Sequence, residues 1–502
     1  MNPLKKIAMN SILLILLTHV ITAVATIAIA NNAVRKILSC IACTISLASS
    51  INILIILQTE KIISYSVGGW DTLGIVLVAD YLTATMLILG SIVSLIVSVF
   101  SWYGAPRVYH ERYFYSFFHF MTFAVLGSFL AGDLFNLYVM FEVMLISSFA
   151  LMIIGGEKTH YRGAIHYMII NLVASAIFIS SAALFYSYMG TLNMAEIAHR
   201  ISLLEDKTII LAPSVMLMTA FALKSGLVPF HFWLPASYVH LLSVNGGLHA
   251  GLLTKVGVYA LIRSFSLFFY DLGPFLFDYL MVISVASMVV GVIGALSSFS
   301  IRRILSFHII SQIGYKTLAL SIFSTSAIAA AIFYTCYHML TKTNLFLICG
   351  VIEKKYGTDD LSKIGGALKW STMLAITFII SGLALGGIPP LPGFFAKFLV
   401  IKAALSEDLL FPAFAAIAVG MFSLFSMIKI WAEAFLKEKP EETQLITIKP
   451  REKFALIGST MVMASLVLAM GLGSGPLYKH CKKVAVQLKT PTEYISHIRG
   501  GR

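Results

Sequence analysis

Long apolar runs separated by short polar connections extend from one end of the chain to the other. A helix that crosses a bilayer needs about 20 mainly apolar residues, because it rises about 1.5 Å per residue through about 30 Å of hydrocarbon. Fourteen segments meet this length, and we predict a membrane-spanning helix in each. Their approximate bounds are 7–30, 37–58, 79–103, 114–131, 134–155, 164–189, 209–227, 242–268, 273–298, 305–323, 326–351, 371–402, 409–436 and 453–474.

The composition supports the same class. Hydrophobic residues make up 59% of the 502 residues and charged residues only 12%, with a mean hydropathy of +0.89. A soluble domain carries about 25% charged residues, so this chain has too few charges to cover a water-facing surface. The longest connections, such as 190–208 and 352–370, are too short to form domains. We therefore predict an all-α polytopic membrane protein embedded in the lipid bilayer.

The net charge of +13 does not indicate nucleic-acid binding, because loop lysines and arginines orient membrane helices. Basic residues concentrate in the loops on the side opposite the N-terminus. The positive-inside rule then predicts a multi-pass protein of the cell (inner) membrane whose N-terminus lies on the non-cytoplasmic side. The C-terminal tail disagrees, since it would share that side and carries six basic residues, Lys479, Lys482, Lys483, Lys489, Arg499 and Arg502.

Cofactor motifs are absent from the sequence. Five cysteines are present, and Cys40 and Cys43 form a C-x-x-C pair inside an apolar run with no second pair. A structural zinc site needs further Cys or His ligands, and a redox C-x-x-C pair usually lies beside a βαβ unit. No haem, iron–sulfur, phosphate-binding or dinucleotide motif occurs. We predict no cofactor, no metal and no catalytic residue, so any redox chemistry belongs to partner subunits.

Ionisable residues nevertheless lie inside the apolar segments. A charge at the bilayer centre costs about 3 kcal/mol on insertion scales, so such residues usually serve a function. Lys429 is near enough to a helix end for its ammonium to reach the surface. Glu142 lies eight or nine residues into its segment and is the acidic counterpart of the lysines. The other residues at depth are Lys224, Lys255, Lys316, Lys342, Lys397, His249, His308 and His338.

Proline clusters interrupt two of the segments. Proline removes a backbone donor and clashes with the preceding turn, and the freed backbone groups need partners other than lipid. Interrupted spanning helices therefore usually line a cavity. The two interrupted segments are the seventh and the twelfth, which indicates a duplicated five-helix unit. A lysine lies five residues from a proline in each. The prolines are Pro229 and Pro235 in the first segment and Pro389, Pro390 and Pro392 in the second.

These stretches resemble the antiporter-like membrane subunits shared by respiratory complex I and Mrp cation/proton antiporters. The resemblance covers about residues 65–435 and is carried by Gly132–Val143, Lys224–Pro235, His249–Tyr259, Ser311–Tyr315, His338–Lys342 and Pro389–Lys397. It implies inverted repeats over helices 4–8 and 9–13 and a buried hydrophilic axis along the membrane plane. The implied units are 1–103, 114–268, 273–436 and 453–502.

Within this family, the residues before Glu142 are most similar to the D-type branch of the Mrp antiporter subunits. A proton-pumping subunit of complex I or of a related hydrogenase is the alternative, and a scaffold that has lost transport is a third. His308 and Lys316 depart from the family pattern, in which we expect less polar residues. Thr341, Thr343 and Asn344, beside Lys342, depart in the same way.

The resemblance and the buried charges together predict a proton-translocating subunit of a multisubunit sodium or potassium/proton antiporter. Other antiporter subunits are its expected partners. A carboxylate beside a buried lysine favours the ammonium, and separating the two groups releases the proton. Imidazoles can pass protons between lysines because they titrate near neutral pH. The predicted proton-transfer residues are Glu142, Lys224, His249, Lys255, His338, Lys342 and Lys397.

Overall fold

A computed structural model describes residues 3–70, 74–106, 109, 113–441 and 443–500, most of which are helical. The helices of the first half are α1 Pro3–Ala28, α2 Asn32–Ile56, α3 Tyr81–Gly104, α4 Phe114–Leu130, α5 Leu134–Ile153, α6 Lys158–Met189, α7 Met194–Ser202, α8 Leu211–Ser225, α9 Trp233–Tyr238, α10 Ser243–Leu248 and α11 Thr254–Leu267. Those of the second half are α12 Phe275–Leu296, α13 Ile301–Ile322, α14 Thr325–Tyr356, α15 Ala367–Trp370, α16 Thr372–Gly386, α17 Pro392–Ser406, α18 Leu410–Ile430, α19 Pro450–Leu472, α20 Ser474–Lys489 and α21 Pro491–Gly500. Two π-helical segments, His249–Leu253 and Trp431–Leu436, continue α10 and α18.

Ten helical stretches in the described part of the chain are long and apolar enough to cross a membrane, judged by length and composition. Two shorter apolar helices, α4 and α16, accompany them. The prediction of a mostly helical polytopic membrane protein is confirmed. The ten stretches are Lys6–Ala28, Asn32–Ile56, Tyr81–Gly104, Leu134–Ile153, Lys158–Met189, Thr208–Tyr238, Ser243–Leu267, Phe275–Leu296, Leu410–Leu436 and Pro450–Leu472.

Helix α14 lies at the centre of the molecule. It packs against seven helices, α3, α10, α13, α16, α17, α19 and α20. Nearly all of its residues are buried, as are nearly all of those of α13. Polar side chains on these two helices therefore lie in the protein interior, away from lipid. Most of the predicted ionisable positions of the second half occur on them.

A small β-hairpin marks one face of the helix bundle. Strand β1 (Ile63–Ser66) pairs antiparallel with strand β2 (Val76–Ala79), with Ile63 opposite Ala79. Isolated bridges join Leu77 to Ala131 and Asp133 to Asn193. The connections α2–α3, α4–α5 and α6–α7 thus meet at one face, which we term the hairpin face. The sequence indicated only a connection here, because each strand has only four residues.

The segment after residue 474 is not a free tail in the described residues. It forms α20 and α21, which lie against the hairpin face. The Lys61 ammonium is 2.7 Å from Glu493, and Nε of Arg499 is 3.0 Å from the Glu196 carboxylate. Nζ of Lys489 donates to the Phe323 carbonyl at 3.2 Å. Several of its basic groups are therefore held by partners within the same chain.

A buried ion pair joins the hairpin face to the helices beneath it. Nη1 and Nη2 of Arg263 donate to the Asp80 carboxylate at 2.6 and 2.9 Å, and both side chains are almost fully buried. The Asp80 carboxylate also caps α3 by accepting from the backbone N–H of Thr83 at 2.9 Å. The centre of the Tyr494 ring of α21 lies 5.3 Å from the guanidinium carbon, and that of Tyr259 lies 5.4 Å from it. The pair thus connects α3, α11 and the C-terminal helix.

Removing one member of this pair should be costly. We expect Arg263→Met to lower the free energy of unfolding by about 3–5 kcal/mol, because an unpaired Asp80 carboxylate would remain buried. Thermal unfolding of the purified protein in detergent measures the effect. Lys369→Met is the control, since the exposed Lys369–Glu438 pair should contribute less than about 1 kcal/mol. Equal losses from the two variants would contradict a structural role for the buried pair.

Candidate functional site

The first interrupted helix places Lys224 in the last turn of α8. Nζ of Lys224 donates to Oγ of Ser175 at 3.1 Å and lies 5.6 Å from the centre of the Phe141 ring. Glu142 is close enough to interact electrostatically with this ammonium. Among the described residues, Oε1 of Glu142 is buried and has no hydrogen-bond partner. The two groups are therefore neighbours, and this carboxylate oxygen can accept a further bond.

The break after Lys224 follows from the backbone of Gly226. Its φ of +81° lies in the left-handed region, which glycine adopts without a Cβ clash. The N–H groups of Gly226 and Leu227 both donate to the Ala222 carbonyl at 3.0 Å. Nε1 of Trp233 donates to the Leu223 carbonyl at 3.1 Å. These bonds satisfy the carbonyls that the broken helix leaves open.

The second break repeats the first in the backbone. The φ of Gly387 is +91°, and the N–H groups of Gly387 and Ile388 donate to the Leu383 carbonyl at 2.8 and 3.1 Å. The single predicted segment 371–402 is thus two helices, α16 and α17. Pro392 is the first residue of α17, where its missing N–H is not needed. Pro389 and Pro390 lie in the connection between the two helices.

Lys397 extends from α17 back to the end of α16. Its Nζ donates to the carbonyls of Leu385 at 3.0 Å and Gly386 at 2.8 Å. The carbonyl end of a helix carries partial negative charge, so it stabilises an ammonium. Lys224 and Lys397 therefore both lie at the carbonyl end of a broken half-helix. A cavity of about 350 Å³ lies beside Lys397 and is lined in part by Gly386, Gly387 and Gly420.

His249 and Lys255 are joined by the π-helical segment His249–Leu253. This segment contains Gly251 and departs from regular α-helical hydrogen bonding. Nζ of Lys255 donates to the Ala250 carbonyl, and it lies 3.3 Å from Oγ1 of Thr254. His249 bonds the Asn245 carbonyl through Nδ1 at 2.7 Å. The two side chains thus have separate partners.

The imidazole of His249 lies toward the first half of the chain. Its ring is 6.0 Å from that of Tyr238. It lies near Ser148, whose hydroxyl is 2.6 Å from the Tyr167 hydroxyl. Tyr167 in turn interacts electrostatically with Glu142. His249 therefore lies against the Ser148 backbone, beside a pair of hydroxyl groups that extends toward Glu142.

Four ionisable side chains of α13 and α14 form a fully buried cluster. Nζ of Lys316 is 2.8 Å from Nδ1 of His338. Nζ of Lys342 donates to the Leu305 carbonyl at 3.0 Å, and Nε2 of His308 bonds the Ser426 hydroxyl. We term this set the α13–α14 cluster.

Electrostatic interactions connect the α13–α14 cluster to the lysines on either side. Lys255 interacts with Lys316, His338 and Lys342. His308 interacts with Lys342 and Lys397. The order of neighbours is therefore Lys255, the cluster and Lys397. Together with Glu142, Lys224 and His249, these residues constitute what we term the polar axis.

Several polar atoms along the polar axis are buried without a partner among the described residues. Such atoms are costly in an apolar interior unless water or an ion satisfies them. These atoms are positions at which bound water can supply the missing hydrogen bond. They are Nε2 of His249, Nε2 of Gln312, Nε2 of His338, Nδ1 of His308, Oγ1 of Thr341 and Oδ1 of Asn344.

Two residues of the axis were not among the predicted proton-transfer residues. Lys316 and His308 were identified as ionisable residues at depth and as departures from the family pattern, and both belong to the α13–α14 cluster. Their polarity at depth was the available signal. Asn344 similarly bonds Ser381 of α16 through Nδ2 at 2.8 Å. In the described residues, no group of three His, Cys, Asp or Glu side chains is placed to bind a metal.

Asp133 marks the hairpin-face end of α5, nine residues before Glu142. Its carboxylate accepts from the backbone N–H of Asn136 at 2.6 Å and of Val76 at 3.3 Å. Burial raises the pKa of Asp133 to about 6, although these backbone donors oppose the shift. The group therefore stays mainly ionised at neutral pH and becomes protonated in mildly acidic solution.

Comparisons with known proteins agree on one family. Residues 131–423 match the family described as "NADH:quinone oxidoreductase/Mrp antiporter, TM". The D-type subunit of the Na⁺/H⁺ antiporter of Alkalihalophilus pseudofirmus is 38% identical over 97% of this chain and 98% of its own length. The protein of the same name from Bacillus subtilis is 32% identical over 97% and 99%. A chain in the structure of the Mrp complex from Dietzia sp. superposes with a TM-score of 0.90 at 28% identity, covering 99% of this chain and all of that one.

The second break depends on a glycine. A Cβ at Gly393 would overlap the Ala384 carbonyl oxygen, so we expect Gly393→Ala to separate α17 from α16 and to lower the free energy of unfolding by about 1–3 kcal/mol or more. Gly458→Ala is the control, because a Cβ there meets no atom within 4 Å. Thermal unfolding in detergent measures both. A Gly393→Ala protein as stable as the control would mean that the close approach is dispensable.

Proposed function

The chain belongs to the membrane-subunit family that NADH:quinone oxidoreductases share with Mrp antiporters, and on this premise we propose that it is the D-type, proton-translocating component of a multisubunit sodium or potassium/proton antiporter. Two full-length relatives are named as the D-type subunit of a Na⁺/H⁺ antiporter, and a chain of an Mrp complex shares the fold. These names favour antiport over the redox-driven alternative, although the family includes both. The chain is therefore a transporter subunit rather than an enzyme, and it works with other antiporter subunits.

The observation that carries this proposal is the polar axis inside an otherwise apolar bundle. A buried charge is retained in a membrane protein chiefly where it serves a pathway. Lysine suits such a pathway because it can lose its proton when buried, whereas arginine cannot. The axis extends from Glu142 and Lys224 to Lys255, through the α13–α14 cluster, and on to Lys397.

Proton movement along the axis follows from the charges of its neighbours. A proton on Lys224 is favoured by the Glu142 carboxylate. Lys255, Lys316 and Lys342 interact with one another, so a proton on one disfavours a proton on the next. Release of a proton from one of these lysines therefore favours proton transfer to it from its neighbour. His338 accepts or donates at Nδ1, where Lys316 contacts it.

His249 belongs to the same pathway as a connection between Glu142 and the centre. Hydroxyl groups can both accept and donate, so Tyr167 and Ser148 can pass a proton toward the region of His249. A bridging water would complete the step to the imidazole, which contacts the Ser148 backbone rather than its hydroxyl. Bridging waters would complete the steps to Lys255, since Nε2 of His249 is unpartnered among the described residues. This route supports the predicted inclusion of His249.

The finer architecture is also part of the proposal. We infer fourteen spanning helices, with inverted repeats over 114–268 and 273–436. The matching breaks after Ser225 and Gly386 support the duplication. We infer a cell-membrane location with the hairpin face on the non-cytoplasmic side. The excess of lysine and arginine in the loops opposite the N-terminus supports this orientation.

The central test removes the acidic charge of the axis. We expect the Glu142→Gln complex to assemble but to lose cation/proton exchange, because the amide keeps the shape and cannot stabilise the Lys224 ammonium. Cation-induced collapse of a pH gradient in inverted vesicles measures exchange, and quantification of the partner subunits measures assembly. Glu157→Gln is the matched control, since this carboxylate is exposed. Native exchange by Glu142→Gln would remove Glu142 from the pathway.

A second test concerns the far end of the axis. We expect Lys397→Met and Lys397→Arg both to abolish exchange while the complex still assembles, because methionine binds no proton and arginine does not release one. Lys397→Glu should retain part of the activity, since a carboxyl group can bind and release a proton. Lys402→Met on the exposed side of α17 is the control. If Lys397→Arg supports full exchange, Lys397 acts only as a fixed charge.

A further inference from the structure

A second set of buried polar residues lies in α1–α4, outside the region 131–423 that matches the family. His19 of α1 and His119 of α4 are fully buried, and their Nδ1 atoms are 2.9 Å apart. Nε2 of His119 bonds the Ser39 hydroxyl of α2 at 2.8 Å, and that hydroxyl bonds Ser98 of α3 at 2.9 Å. One hydrogen-bonded chain thus links all four helices.

Further hydroxyl groups extend this chain along the helices. On one side, Ser101 bonds the Ser98 carbonyl at 2.7 Å, and its hydroxyl lies 3.1 Å from that of Tyr115. On the other side, the Ser91 hydroxyl lies 3.0 Å from Ser46 and 3.4 Å from Ser50. The series runs along the helix direction, whereas the polar axis passes from helix to helix. We term this series the N-terminal column.

Two buried atoms of the column are unpartnered among the described residues. Nε2 of His19 has no hydrogen-bond partner. Oγ of Ser94, on the same face of α3 between Ser91 and Ser98, has none either. Oγ of Ser94 lies in the gap between Ser91 and Ser98, and Nε2 of His19 lies at the end of the series. Each atom can bond a water molecule.

We propose that the N-terminal column is a second proton path, which crosses the bundle along the helices and complements the in-plane polar axis. This proposal rests on the proposed function. An axis that lies in the membrane plane moves protons within the membrane, so it needs a connecting path to one membrane surface. His19 and His119 are the groups that bind the proton and exchange it directly, and the serine hydroxyls connect His119 to the rest of the column.

The chemistry balances at each step. A proton that reaches Oγ of Ser39 displaces the hydroxyl proton to Nε2 of His119. The imidazole then gives its Nδ1 proton to Nδ1 of His19, so each N–H or O–H bond that breaks is replaced by one that forms. The groups afterwards reverse their hydrogen-bond direction by hydroxyl rotation and imidazole tautomer exchange. No co-reactant is required.

Helix packing alone explains less of the arrangement. Serine at helix contacts permits close approach and adds weak bonds, which accounts for Ser46, Ser50 and Ser91. It does not account for two adjacent imidazoles, because ionisable residues inside membrane helices are expensive. Among the described residues, no carboxylate bonds either ring. The nearest titratable groups in the column are Cys40, 3.6 Å from the Ser98 hydroxyl, and Tyr115.

The test compares variants of the intact antiporter complex in proteoliposomes. We expect Ser39→Ala and His119→Gln to lower cation/proton exchange by about tenfold or more, while subunit assembly stays native. Alanine keeps the close packing, and glutamine keeps hydrogen bonding without relaying a proton. Thr26→Val is the matched control, because it also removes a buried α1–α4 hydroxyl bond, the 3.0 Å contact between Thr26 and Ser116.

The same preparation includes Glu142→Gln as a reference. If Glu142→Gln loses exchange while Ser39→Ala and His119→Gln keep native exchange, the N-terminal column is not a proton path. The proposed function is then unaffected. Absence of cation/proton exchange by the unaltered complex overturns the proposed function itself. Equal losses in Thr26→Val and Ser39→Ala assign the hydroxyls to helix packing and also overturn the column. The proposed second path is supported if Ser39→Ala and His119→Gln lose exchange, as the reference Glu142→Gln does, while Thr26→Val retains it.

Discussion

The cost of leaving a charged or polar group without a partner in an apolar interior governs this protein. An unpaired ionised group inside a membrane costs several kcal/mol, so each buried ammonium requires nearby oxygen atoms. Lys224 has the Ser175 hydroxyl, and Lys342 has the Leu305 carbonyl. These bonds are single and involve neutral oxygen. Such partners hold a lysine in place without fixing its proton, which a mobile proton requires.

The broken helices meet the same requirement in another way. A continuous helix uses all of its interior carbonyls, whereas a break leaves free carbonyls inside the protein. Gly226 and Gly387 make the breaks possible by adopting positive φ. At the second break, Lys397 occupies the freed carbonyls of α16. The free carbonyls at the break therefore bind the Lys397 ammonium, and the ammonium supplies the hydrogen bonds that these carbonyls would otherwise lack.

Arg263 shows the contrasting use of a buried charge. It forms two hydrogen bonds with the Asp80 carboxylate, and the rings of Tyr259 and of Tyr494 in the C-terminal helix lie beside its guanidinium. Arginine keeps its proton at any physiological pH, so this pair stabilises structure and cannot exchange protons. The lysines of the polar axis have no comparable carboxylate contact among the described residues. The residue type and the partner together distinguish this structural charge from the lysines that we propose to carry a proton.

The sequence by itself determined the membrane class, the approximate positions of the helices, the two breaks and the ionisable residues at depth. Apolar length, proline and charge are local properties, so each is readable from the chain. Only the tertiary structure placed Lys316 against His338, His119 against His19, and Arg263 against Asp80, which is 183 residues away. Hydrogen-bond partners depend on which helix faces meet, and a hydrophobic pattern that is nearly uniform around buried helices such as α14 does not specify those faces.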